Sequence, residues 1–223
     1  MSTVEPDVIP GIGDVSPVAP GVETEPMLAI DTSGSMGESN EAGSSVRRLE
    51  VVGEVLQAVV NRLAEKDSQA GEADAAGEEG GVMTVTFAST ATDLEDLTPS
   101  NCQEKLRSIR WGGGTHGMPA WNMLNELYAE EFLSRPATDR PLMLALFMTD
   151  GEMSDIDEFA QAINQAKGKC FVILAVLGYG HEHDQVFAKY QTIADSNDHV
   201  RLVSFGNTTS ADAIADAVIR LIG

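Results

Sequence analysis

The chain has 223 residues, 43% of them hydrophobic and 22% charged, enough for one sizeable core and short for two full domains. Acidic residues outnumber basic ones 35 to 14, for a net charge of −21. A surface this negative argues against nucleic acid and acidic membranes and favours cations or basic partners, although solubility alone would explain it equally well. Two cysteines, Cys102 and Cys170, are too few for a disulfide framework or a thiolate metal site, and no apolar run reaches the length of a membrane-spanning helix.

Residues 1–25 are rich in Pro, Gly and acid and contain no basic residue. They read as a disordered leader and exclude an ordinary secretory signal, which makes the cytoplasm the default location. The folded domain is expected over 26–223. Met27–Ile30 is a first strand, followed by Asp31-Thr32-Ser33-Gly34-Ser35. A helix is expected over about Ser44–Lys66, with Leu49, Val52, Val55, Leu56, Val59 and Leu63 on its buried face. Asp67–Gly81 lacks apolar anchors and reads as a solvated linker, and Val82–Phe87 is a β-branched strand.

Ala91–Leu97 reads as a short edge strand before a helix near Asn101–Ile109. Gly112-Gly113-Gly114-Thr115-His116-Gly117 then breaks the chain ahead of a helix at about Pro119–Leu133, whose Trp121, Leu124, Leu127 and Tyr128 form a core stripe. Leu142–Met148 and Cys170–Leu177 are apolar throughout, as strands buried on both faces are. Between them lie the acidic loop Asp150-Gly151-Glu152 and a helix at Ile156–Lys167 that Gly168 would stop. A helix near Asp184–Asp195, a strand at Val200–Val203 and a helix at Ser210–Ile222 complete the chain. Strands alternating with amphipathic helices call for a doubly wound, mostly parallel, Rossmann-like α/β sheet covered on both faces. Ligands of such sheets bind beyond the carboxyl ends of the strands, where the strand order reverses.

Three oxygen-bearing loops fall at such ends: Asp31 with Ser33 and Ser35, Thr115 after the glycines, and Asp150 after the most buried strand. Each alone has an ordinary reading as a turn or helix cap. Together they place two carboxylates and three hydroxyls in one crevice, with no lysine or arginine close by in sequence. Carboxylates so near each other need a cation to stay ionised, and an oxygen-only donor set suits a hard divalent ion. His116, Glu152, Asp155 and Asp157 border the site without a fixed role, and Met36, Met118, Met148 and Met153 are either core fillers or a soft rim. His181-Glu182-His183-Asp184 matches no standard zinc spacing.

Asp31-x-Ser33-x-Ser35, Thr115 and Thr149-Asp150-Gly151 occur in the order of the metal-ion-dependent adhesion site, and from residue 26 onward the chain resembles the von Willebrand factor type A family. Phe147–Glu152 together with Val176-Leu177-Gly178-Tyr179-Gly180 is similar to its intracellular branch, which includes copines and bacterial tellurium-resistance-associated proteins. The resemblance implies Mg²⁺, with Mn²⁺ or Ca²⁺ as alternatives. Ser33, Ser35 and Thr115 would hold the ion through hydroxyl oxygens, and Asp31 and Asp150 would hold it partly through water. The open position would take an Asp or Glu of a protein partner. The expected function is therefore a non-catalytic, metal-dependent interaction module in a bacterial stress response. The alternatives are a Mg²⁺-dependent phosphoryl-transfer enzyme using Asp31, or a structural subunit of a stress-response complex. Against the enzyme stands Ser33, since Asp-based phosphatases carry Asp-x-Asp.

Overall fold

The computed structural model describes residues 21–39, 45–70, 80–151, 153–177, 181–205 and 210–222, with the side chains of 67–70 and 181–184 outside the description. Six strands form one sheet: β1 (Thr24–Asp31), β2 (Val82–Phe87), β3 (Ala91–Leu97), β4 (Leu142–Thr149), β5 (Cys170–Leu177) and β6 (Val200–Phe205). Their spatial order is β3-β2-β1-β4-β5-β6, and every pairing is parallel except β2 with β3. The doubly wound, mostly parallel sheet expected from the sequence is therefore present. Beside the strands run α1 (Arg48–Ala70), α2 (Cys102–Ser108), α3 (Gly117–Phe132), α4 (Ile156–Gln165), α5 (His181–Ser196) and α6 (Ala211–Ile222).

Because strand side chains alternate in direction, each central strand feeds two cores. Leu28 and Ile30 of β1, Leu144, Leu146 and Met148 of β4 and Ile173 of β5 pack with Val55, Leu56 and Val59 of α1 and Val218 and Leu221 of α6. Met27, Ala29, Ala145, Phe147 and Leu174 face the other way, against Trp121 and Leu124 of α3, Phe159 of α4 and Tyr190 of α5. Strands with both faces covered must be apolar throughout, which is why β4 and β5 carry almost no polar side chain. The Trp121 stripe is core, as its spacing suggests. Met36, Met148 and Met153 are buried as well, so those three fill the core and form no exposed rim.

Several boundaries differ from expectation. Helix α1 continues to Ala70, four residues into the expected linker, because Asp67-Ser68-Gln69-Ala70 contains no helix breaker before Gly71. Residues 71–79 of that linker, like 1–20 of the leader, lie outside the described residues. Strand β1 begins at Thr24, pairing with Leu142 of β4, and α5 begins at His181. Helix α4 ends at Gln165, and Gly168 takes the left-handed conformation (φ 81°) that turns the chain into β5. Ser210 caps α6 as its residue type predicts, with Oγ accepting from the Ala213 amide at 3.3 Å.

The chain runs outward from β1 to β2 and β3, then returns to place β4 on the other side of β1. The strand order thus reverses between β1 and β4, and the crevice there opens at their carboxyl ends. Asp31 is the last residue of β1, and Asp150 follows the last residue of β4.

Candidate metal centre

The register of β1 on β4 pairs Ile30 with Met148, so Asp31 and Thr149 come abreast. Thr149 Oγ1 donates to Asp31 Oδ2 at 2.6 Å, and the Ser33 amide donates to Asp31 Oδ1 at 2.8 Å. Both oxygens of a fully buried carboxylate are therefore satisfied by neutral donors. Burial dominates nonetheless and pushes the Asp31 carboxyl up to about 6.

Asp150 is held differently. Ser35 Oγ donates to its Oδ1 at 2.9 Å, while Arg48 at the head of α1 donates through Nη1 to Oδ2. Ser33 Oγ lies 3.1 Å from Ser35 Oγ. Ser35 has already given its only proton to Asp150, so Ser33 is the donor of that pair. The result is a chain of oxygens from Ser33 through Ser35 to Asp150.

Thr115 joins from the third loop. Gly112 donates to Thr32 O at 2.8 Å, and Gly34 donates to Gly113 O at 3.2 Å, which ties the glycine loop to the β1 loop. Gly113 requires a positive φ (90°), and a Cβ there would come within 3.1 Å of Ser89 Oγ. Ser89 Oγ accepts from the Gly114 amide at 3.0 Å and Ala88 O from the His116 amide at 3.0 Å, so the β2–β3 turn props the glycine loop from outside.

Two of the loops converge on Gly151, which the third supplies. A methyl group on that glycine would stand 3.3 Å from Thr115 Oγ1, 3.7 Å from Ser35 Oγ and 3.9 Å from Asp31 Oδ2. Oxygens from the β1 loop and the glycine loop therefore border one small space that glycine leaves open. Among the described residues no three His, Cys, Asp or Glu side chains come together, so the donor set is hydroxyls with two carboxylates. Such a set fits a hard divalent cation and offers a soft one nothing. The two thiols are elsewhere, buried and free, and burial pushes both up to about 11.

All five residues singled out in the sequence, Asp31, Ser33, Ser35, Thr115 and Asp150, lie at this crevice. No lysine or arginine stands close to Asp31 or Asp150 in sequence, yet the fold supplies Arg48, which is 6% exposed at its side chain and paired with Asp150. Arg48 lies 102 residues from Asp150 in sequence, and as the first residue of α1 it follows the β1 loop into the crevice. Asp155 also acquires a role: its two carboxylate oxygens accept from the Gly117 and Met118 amides at 2.8 and 2.9 Å, capping α3 from the neighbouring loop. Tyr190 of α5, fully buried, donates to Gly151 O at 2.9 Å and fixes the loop from beneath. His116 is half-buried, with its ring beside Gly114. Glu152 and the side chains of His181, Glu182, His183 and Asp184 lie outside the described residues.

The doubly wound sheet has the architecture of a von Willebrand factor type A domain. Solved structures of low sequence identity share it. The VWA domain of SpRpn10 superposes with a TM-score of 0.62 at 13% identity, covering 88% of this chain and 94% of that one. The manganese-loaded TRAP protein of Plasmodium vivax gives 0.55 at 18% identity, over 90% and 74%. A mutant of the PilB minor pilin of Streptococcus sanguinis gives 0.61 at 13%, over 89% of this chain but 61% of the pilin's own length. No family model and no curated protein matches the sequence. Among the described residues no helix is long and apolar enough to cross a membrane.

Proposed function

We propose that the chain is a non-catalytic protein-interaction module that binds Mg²⁺ or a similar divalent ion at the β1–β4 crevice and uses it to capture a carboxylate of a protein partner. The observation that carries this reading is the convergence of Asp31, Ser35 and Thr115 oxygens on the space beside Gly151, with Ser33 and Asp150 linked into the same hydrogen-bonded chain. A hydroxyl can donate to a carboxylate and still offer its lone pairs to a cation, so the present hydrogen bonds and a bound ion are compatible. When bound, the ion would supply a Lewis-acidic coordination position for an Asp or Glu of the partner. The TRAP protein of similar fold was itself solved loaded with manganese.

The non-catalytic part is supported by position 33, where this chain carries a serine in place of the second aspartate of Asp-based phosphatases. The test is Mn²⁺ titration followed by thermal melting with and without chelator, then partner capture from a native lysate under both conditions. Metal-dependent stabilisation and capture, both lost in Asp150→Ala, are the expected result. Capture that persists in chelator and in Asp31→Ala would sink the reading.

A further inference from the structure

Arg47 and Arg48 are the first basic residues of a chain whose net charge is −21, and the second of them is buried. Its Nη1 donates to Asp150 Oδ2 and also to Ser35 O at 3.3 Å, so one guanidinium grips a residue of each of the two motif loops. Asp150 is fully buried at its side chain, and its remaining oxygen accepts from Ser35 Oγ. A buried ion pair is ordinarily weak evidence for stability, because desolvation offsets the attraction. This pair is different in position: its acid is one of the two carboxylates that the metal reading assigns to the ion. With Asp31 and Asp150 ionised, Arg48 already neutralises half of the charge that would attract a divalent cation.

Resting on that metal reading, we infer that Arg48 is the resident counter-cation of the site. It holds Asp150 and the Ser35 backbone in place in the metal-free protein and lowers the affinity of the crevice for a divalent ion. The guanidinium cannot lose its proton, so the opposition persists at every physiological pH. It is also tethered to the first residue of α1, so it cannot diffuse away when an ion arrives. An ion at the site would compete with Arg48 for the charge of Asp150, so the head of α1 feels whether the site is filled. Arg48 is a positioning residue here, acting on the ion through Asp150.

The decisive comparison is Mn²⁺ titration calorimetry on the full chain as wild type, Arg48→Met and Arg48→Lys, with thermal melts of each in chelator and in excess Mn²⁺. Met keeps much of the length and removes the charge, whereas Lys keeps the charge and loses the planar fork. Arg48→Met should bind Mn²⁺ roughly 10-fold tighter or more, since a like charge a few ångströms away has been removed. Its midpoint in chelator should fall below that of the wild type, and excess Mn²⁺ should close the gap. Arg48→Lys should stay within about threefold of wild-type affinity. Equal or weaker Mn²⁺ binding by folded Arg48→Met would overturn the inference while leaving the metal reading intact. No binding by any of the three proteins would bring down both, whereas binding by Arg48→Met alone would support the inference most strongly. If Arg48→Met does not fold in chelator, the wild type carries the test through the Arg48 guanidinium resonance, assigned by its loss in Arg48→Lys. That resonance should shift during Mg²⁺ titration with the same midpoint as ion binding, and a signal unmoved at saturation would overturn the idea.

Discussion

The loops after β1 and β4 each deliver one buried carboxylate to the same crevice, yet they satisfy it by opposite means. Asp31 is surrounded by dipoles, a threonine hydroxyl and a backbone amide, and burial raises its affinity for a proton. Asp150 is met by a full positive charge together with a hydroxyl. Dipoles offset desolvation only in part, whereas a buried counter-ion ties the acid and its partner into one unit that neither can leave cheaply. One acid should therefore matter to ion binding, the other to ion binding and folding alike.

The largest effect should come from breaking the charged half. Asp150→Ala leaves Arg48 buried without its acid, and removing one partner of a buried pair costs about 3–5 kcal/mol. The melting midpoint in chelator should drop by on the order of 10 °C, and the rise on adding Mn²⁺ should disappear. Breaking the dipolar half should look different. In Asp31→Asn, Mn²⁺ affinity should fall roughly 100-fold or more, with the chelator midpoint at neutral pH held or raised because a desolvated charge has gone. If the two variants destabilise equally in chelator, the contrast between the loops is wrong.

pH sharpens the same contrast. The folded-state value of Asp31, about 6, lies above its ordinary 3.8, so folding favours its protonated form. Its contribution to metal-free stability is complete below about 4 and is lost as pH rises through about 6. Melts in chelator should show that gain on going from pH 7 to pH 5, reduced in Asp31→Asn, while Mn²⁺ affinity of the wild type should weaken over the same interval.

Gly151→Ala probes the space the loops share. Its Cβ would press on Thr115 Oγ1, so Mn²⁺ affinity should fall about tenfold while the chelator midpoint moves by only a few degrees. The smallest effects belong to the outer supports. Asp155→Ala and Tyr190→Phe each remove hydrogen bonds worth about 1 kcal/mol, and should lower the midpoint by about 2–4 °C with slight loss of ion affinity.

Much of this geometry was legible in the residues. Two apolar runs, Leu142–Met148 and Cys170–Leu177, demanded strands covered on both faces, and that requirement led to the doubly wound sheet and its switch point. The hydroxyl and carboxylate spacing in Asp31–Ser35 reads alone as an ordinary turn, and only with Thr115 and Asp150 does it single out the crevice. Arg48 was less visible, because ion pairs between distant segments depend on how the chain returns. A signal for it existed: Asp150 continues the phase of Leu144, Leu146 and Met148, which pack against α1 and α6, so it emerges on the side where α1 begins. The support from Ser89 and Asp155 had no comparable signal, since each acts on the backbone of a different loop and backbone partners leave no mark on residue type.

Strand β3 closes one side of the sheet, pairing only with β2. Lys105 Nζ occupies the Leu94 and Asp96 carbonyls at 2.8 and 3.3 Å, and Asn101 Nδ2 reaches the Asp96 carbonyl at 3.1 Å. Glu95 bends the backbone with a positive φ (59°), and Asp93, Glu95 and Asp96 are all exposed along that edge. A strand from a second molecule would find its acceptors taken, its path kinked and three negative charges in its way. This edge of an otherwise very apolar sheet is thereby made a poor template for the addition of a strand from a second molecule.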